Sequence, residues 1–250
     1  MAAGTNAADW AVAREVGAFV SVHVVGSLGP ITRAAMGPDV TYIHCTSLPE
    51  DAWQAITETG GHVSIAGPIE MQMSHGVPPV QEALDHGIQP SLSVDVETQQ
   101  PSDLFSQMRA VFGLQRMLAL ERARTGARDA PALLSVRDVV EFATVRGAAA
   151  NQLGGKTGSL TPGKQADVIL LRTDLINVLP LNNAYGAVVL GMDTSNVDTV
   201  FVAGRLKKRG GRLVGVDLDR VRRDAERSRD YLLERTGWPR TVLGGDLPGH

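Results

Sequence analysis

A single cysteine, Cys45, stands among 250 residues, so no disulfide within the chain can staple the fold, and a reducing cytoplasm is the expected location. No apolar run approaches the roughly 18 residues that span a bilayer, which excludes a transmembrane helix. Nor does a basic stretch followed by an apolar one open the chain, so nothing at the N-terminus resembles a signal peptide. Charge of one sign is missing as well. With 24 basic and 27 acidic residues the formal net charge is -3, which offers no electrostatic footprint to nucleic acid or to an anionic membrane. Repeats of fixed period and low-complexity tracts are absent. What remains is 43% hydrophobic and 20% charged, the make-up of a soluble globular protein with a sizeable core.

Between Phe19 and Asp95 short apolar runs alternate with amphipathic stretches. The runs are Phe19-Val25, Val40-Cys45, His62-Ala66 and Gln89-Val94, and their Val and Ile content predicts parallel strands covered on both faces. Helices are predicted between them at Ile31-Met36, Pro49-Thr59 and Pro78-His86, with Gly60-Gly61 and Gly87 as C-terminal stops. A long helix follows from Asp103 to Arg124, its apolar face formed by Leu104, Phe105, Met108, Val111, Phe112, Leu114, Met117 and Leu118. A polar turn from Thr125 to Pro131 ends it. Ser135 then caps a further helix, with Asp138 three residues on, and a short helix is expected around Ala148-Leu153.

Beyond Leu153 the texture changes to Gly- and Pro-punctuated short strands, predicted at Ala166-Leu171, Ala187-Leu190 and Thr199-Ala203, with a hairpin near Gly210-Gly211. The stretch from Asp217 to Arg235, dense in Arg and Asp, reads as a solvated helix. The expected division is therefore 1–153, a β/α unit; 154–216, a small β portion; and 217–250, a C-terminal helix and tail.

The strand ends carry the chemistry. His23, His44, the Ala66-Gly67-Pro68 segment and Asp95 follow one another at intervals of about one strand, helix and loop, so consecutive parallel strands deliver them to one edge of the sheet. In barrels of this kind that edge holds the active site. Imidazole and carboxylate together suit a divalent metal, and a carboxylate beside a metal-bound water can take its proton. Taken one at a time, each of these residues is more readily a hydrogen-bonded strand end, and it is their convergence that brings the functional reading level with that one.

Together with the Ser159-Leu160-Thr161-Pro162-Gly163-Lys164-Gln165-Ala166-Asp167-Val168 segment, the order of His23, His44 and Asp95 resembles the C-terminal half of the amidohydrolase superfamily. The nearest branch is that of cytosine and guanine deaminases and triazine hydrolases. The resemblance covers Phe19 to Arg212 and implies an α/β fold: the second half of a (β/α)₈ TIM-type barrel, then a small β-sandwich portion and a C-terminal helix. It implies that His23 and Asp95 are ligands of a divalent metal, zinc or iron, and that His44 and Asp95 are catalytic, with no organic cofactor. The implied activity is hydrolysis of a non-peptide C-N bond in a small molecule, by deamination or hydrolysis of an N-heterocycle or cyclic amidine.

Two departures accompany it. The superfamily's His-x-His metal pair has no counterpart among His23, His44, His62, His75, His86 and His250. The glutamate that often stands three residues after the first of the strand-end histidines is Gly26, leaving the leaving-group acid unassigned. Helical periodicity in Trp10, Val12, Val16 and Phe19 begins as though inside a structural unit. Four β/α units would leave open strand edges that favour association, a homo-oligomer included. A start placed too late, a gene fragment and completion by a partner chain are the alternatives, the first two preferred. The competing functional reading is a non-catalytic half-barrel or binding module without metal.

Other residues are weighed and set aside. Gly158 to Lys164 has the spacing of a phosphate-binding loop, but Gln165 stands where Ser or Thr is needed and a strand follows, so it reads as a turn. Glu70, Met71, Met73 and His75 lie on a predicted loop after the third strand, as candidates for substrate contact or for packing. His62 opens a strand at the end remote from chemistry, and Cys45 reads as a buried thiol rather than a nucleophile.

Overall fold

The computed structural model describes residues 7–127 and 130–240. Arg128 and Asp129 of the predicted polar turn, and His250, lie outside the described residues. The chain forms two compact units, Met1–Gly211 and Arg212–His250.

The first unit opens with helix α1 (Ala7–Glu15), and strand β1 (Val20–Val25) follows. Next come β2 (Val40–Thr46), α2 (Glu50–Thr59), β3 (His62–Ile65), α3 (Gly67–Gln72), α4 (Val80–Asp85) and β4 (Ser91–Leu92). The four strands pair in sequence order, all parallel. That register brings every strand's C-terminal end to the same edge. Pro90 donates no backbone hydrogen bond, and β4 is only two paired residues long, so the predicted Gln89-Val94 run contracts to its centre. The predicted helix Ile31-Met36 is likewise only a 3₁₀ turn, Arg33–Ala35, because Pro30 and the Gly37-Pro38 pair leave no room for a full helix.

Burial explains the rest of the layer. Val40, Tyr42, Val63 and Ile65 of the sheet are at most 1% exposed, and α2 covers them with Trp53 and Ile56. Gly60 closes α2 in the left-handed conformation (φ 74°), which a side chain would strain. Gly61 is needed for a second reason: a Cβ there would come within 2.6 Å of the Tyr42 ring. Arg14 of α1 binds Asp39, just before β2, through two hydrogen bonds of 2.6 and 2.9 Å, and it also donates to the Ala35 carbonyl at 2.7 Å.

Helix α5 (Leu104–Arg124) is capped by Asp103, whose side chain accepts from the Ser106 N–H at 2.8 Å. Its buried face departs from the apolar count: Leu104 and Met117 are exposed, while Gln107 and Gln115 are fully buried. Gln115 is buried because every polar atom is used. Its amide donates to Gln81 Oε1 and the Ala132 carbonyl, and its oxygen accepts from the Leu134 N–H, all at 2.8–2.9 Å. The Ser135–Asp138 capping box opens α6 (Val136–Glu141). A π-helical segment, Phe142–Arg146, joins it to α7 (Gly147–Ala150), and the Ala150 carbonyl accepts from Thr41 Oγ1 at 2.6 Å.

After a turn, β5 (Val168–Leu171) pairs antiparallel with β6 (Val197–Val202), which pairs antiparallel with β7 (Arg205–Arg209). Ala203 and Gly204, both at positive φ, make the tight β6–β7 turn. The predicted strand Ala187-Leu190 is instead helical, α8 (Ala184–Gly186) continued by a π turn, Ala187–Gly191, with Asn183 capping it. A short apolar run does not reveal its own period. The second unit contains α9 (Leu218–Thr236), capped by Asp217 and closed by Gly237. No helix among the described residues is long and apolar enough to cross a membrane.

Two outcomes test this packing. Ile56→Ala, which empties a fully buried position, is expected to cost about 2–5 kcal/mol in denaturant unfolding. The Arg14 guanidinium holds the Asp39 carboxyl below its ordinary value, so its stabilising effect is present above about pH 3.9 and fades as pH falls through the lowered value. Asp39→Asn is therefore expected to melt lower than the parent at neutral pH, and the gap to close in acid.

Candidate active site

The C-terminal edge of the parallel sheet brings together the three residues expected there. His23 Nδ1 lies 3.2 Å from His44 Nε2, and Asp95 Oδ2 lies 3.9 Å from the same nitrogen. His44 is the buried member, its side chain 2% exposed, while that of Asp95 is 26% exposed and His23 is open to solvent.

His44 reaches this position through a break in the ladder. Val24 pairs with His44 but Val25 pairs with Thr46, so Cys45 is an extra residue in β2. His44 (φ 72°) and Cys45 (φ 57°) both adopt left-handed backbone, and so does Asp95 (φ 64°). For residues with a Cβ this costs on the order of 1–3 kcal/mol each and persists only where the surroundings enforce it. Such bulges re-aim side chains and gather beside active sites.

A residue placed on a loop by the sequence completes the group. Glu70 lies in α3, fully buried, and its Oε1 accepts from His44 Nδ1 at 3.1 Å and from the Ala66 N–H at 2.9 Å. Pro68 just after β3 is the signal that could have found it, since proline suits a first helical turn and puts position 70 one turn in. Because a carboxylate only accepts, this contact keeps the proton of neutral His44 on Nδ1 and leaves Nε2 with the lone pair. In that state His23 donates to Nε2.

His75 packs edge-on against His44, with ring centroids 5.0 Å apart. Its Nδ1, Glu70 Oε2 and Thr46 Oγ1 are buried without a hydrogen-bond partner. Met71 and Met73 are exposed. Gly26, in the place of the expected acid, has φ 74°, where a glutamate would be strained.

Cys45 is fully buried, and its thiol is pushed well above the usual range, first by burial and then by the Glu70 carboxylate. It is not set up as a nucleophile. His62 sits half-buried at the start of β3, at the other end of the strands, and burial pushes its imidazole down. In the turn that mimics a phosphate loop, Lys164 Nζ donates to the Gly154 and Thr157 carbonyls at 2.6 and 3.1 Å, and β5 follows.

The amidohydrolase family profile matches residues 3–207. The chain belongs to the amidohydrolase family. It is similar to the 5'-deoxyadenosine deaminase of Methanosarcina mazei, 28% identical over 86% of this chain and 46% of that protein. Among solved structures it is similar to an adenosine deaminase from Xanthomonas campestris with bound zinc (TM-score 0.79, 20% identity, 92% of this chain and 55% of the other). A triazine hydrolase variant is similar too (TM-score 0.71, 17% identity, 88% and 50%). This amidohydrolase chain thus spans about half the length of the relatives it matches.

Zinc is bound in the adenosine deaminase. In this chain, His23 and Asp95 are donors of suitable type, but His23 Nδ1 is turned to His44. Among the described residues no group of three or more His, Cys, Asp or Glu side chains is placed to hold a metal ion. The residues present do not by themselves fit a divalent metal, which takes at least three protein ligands in sites of this kind.

Native protein treated with iodoacetamide at mildly alkaline pH is expected to leave Cys45 unmodified, and urea-unfolded protein to alkylate fully. Rapid labelling of the native form, read by mass spectrometry, would contradict the buried thiol.

Proposed function

We propose that this chain supplies the proton-handling side of a hydrolytic site acting on a non-peptide C-N bond of an N-heterocycle or cyclic amidine, with deamination of an adenine-type nucleoside as the leading case. The observation that carries the reading is the position of His44, buried between Glu70 on Nδ1 and the His23 and Asp95 side chains on Nε2. Family membership and similarity to proteins named as deaminases support the reaction class. The four parallel strands are read as part of a (β/α)₈ barrel.

In this proposal His44 Nε2 exchanges its hydrogen bond with His23 for one with the substrate or the attacking water. It then accepts a proton, and the resulting imidazolium is held between two carboxylates, Glu70 directly and Asp95 at 3.9 Å. From that position the proton is passed to the departing nitrogen. Asp95, more exposed, is the group that faces substrate and takes part in the same transfer. Zinc or iron is the metal class suited to His23 and Asp95, but two donors leave such an ion short of a coordination shell, and the chemistry assigned to this chain is that of its own residues.

One observation favours a second reading, a non-catalytic binding module: the described residues hold no three-donor metal group. Ammonia release from 5'-deoxyadenosine, with and without added zinc, separates the two. The hydrolytic reading expects turnover that falls by about 10²–10⁴ in His44→Asn and Asp95→Asn. Glu70→Leu is expected to lower kcat with KM little changed, and Glu70→Gln, which keeps an acceptor, to restore much of it. Saturable nucleoside binding with no ammonia under either condition would favour the module.

A further inference from the structure

At the opposite, N-terminal end of β3 and β4 lies a cavity of about 260 Å³. Its walls come from the turn after α2 (Gly60, Gly61), the first residues of β3, the connection from α4 into β4, and the end of the π-helical segment with α7. Four side chains that can present N–H groups line it, Arg146, His62, His86 and Gln89, and no Asp or Glu does. Arg146 is the unusual one. Its stem is half-buried, its Nε is fully buried without a hydrogen-bond partner, and it makes no ion pair among the described residues.

Unpaired buried guanidinium nitrogen is costly, because each desolvated donor left unmade forfeits about 1–3 kcal/mol. Other arginines of the chain show the usual remedy: Arg14 is paired with Asp39, Arg124 with Glu121 and Arg137 with Glu141. At Arg146 the protein provides a chamber instead of a carboxylate. Arginine's planar fork matches the oxygens of phosphate in pairs. π-Helical segments are frequent at functional sites, and here one ends on this residue.

We propose that this cavity binds a small oxyanion of the phosphate type, with Arg146 as its main ligand. His62 adds a neutral N–H donor, since burial keeps its imidazole uncharged near neutral pH. His86 stands at the rim, stacked on Trp53 with 5.7 Å between ring centroids, and its Nε2 is 3.4 Å from the exposed Glu50 carboxylate. Glu50 itself is not among the residues that line the cavity. The site lies at the far end of the strands from His44 and does not depend on the proposed hydrolysis.

Inorganic phosphate and glycerol 3-phosphate, each titrated into the full chain at constant ionic strength with chloride as control, test the assignment. Calorimetry is expected to show saturable one-site binding, and NMR to shift the Gly60, Gly61 and Gly87 amides. Equal affinities identify phosphate itself as the guest; tighter binding of the ester identifies a phosphorylated metabolite. Arg146→Gln is expected to weaken binding about 10- to 100-fold, as the loss of a charge-assisted pair implies. If that variant does not fold, Arg146→Lys, which keeps the charge and loses the fork, is expected to weaken it measurably. No response beyond that to chloride, shifts confined to the His44 edge, or undiminished binding in a folded Arg146 variant would each overturn the proposal.

Discussion

The hydrogen bond between His44 and Glu70 organises the candidate site. Both side chains are buried, where an unpaired charge would be expensive, so each makes the other tolerable. The carboxylate fixes the imidazole's proton on the inner nitrogen and turns the outer one toward His23 and Asp95. Four segments converge on that one ring: β2 carries it, α3 holds it, and His23 of β1 and Asp95, just after β4, face it.

The same economy explains the backbone. A regular strand alternates its side chains between faces, and a buried histidine at the C-terminal edge does not satisfy that alternation and reach Glu70 together. The extra residue, Cys45, resolves the conflict by bulging the strand, and the small apolar thiol fills the space without bringing charge into it. Left-handed backbone at His44, Cys45 and Asp95 gathers local strain where chemistry is proposed, while the packed layer of Tyr42, Ile56, Val63 and Ile65 supplies the rigidity that sustains it.

Much of this was legible in the sequence, and the reasons are specific. The Val- and Ile-rich runs before His23, His44 and Asp95 gave the strands, and their spacing gave the common edge, because parallel pairing leaves few other placements. Ser135 announced its helix by a side-chain cap, which acts locally, while the helices from Asp103 and Asp217 showed in an apolar face and in a density of Arg and Asp. Glu70 was not legible as His44's partner, since their contact spans 26 residues and depends on how α3 leaves β3. Buried Gln115 escaped for a similar reason: three polar partners from distant segments make a glutamine fit where an apolar residue was expected. Ala187-Leu190 has strand composition and helical structure because Asn183 caps it and its core-facing residue, Val189, is covered.

The bulge in β2 carries a consequence for how this edge can vary. Its effect comes from residue number, with two residues on β2 set against one step on β1. Deleting a single position there would let the ladder close and rotate the imidazole to the opposite face, whereas exchanging Cys45 for another compact residue leaves the count intact. The sheet edge is thus tolerant of spelling and intolerant of length: evolution can rewrite the letter at this point far more freely than it can remove it.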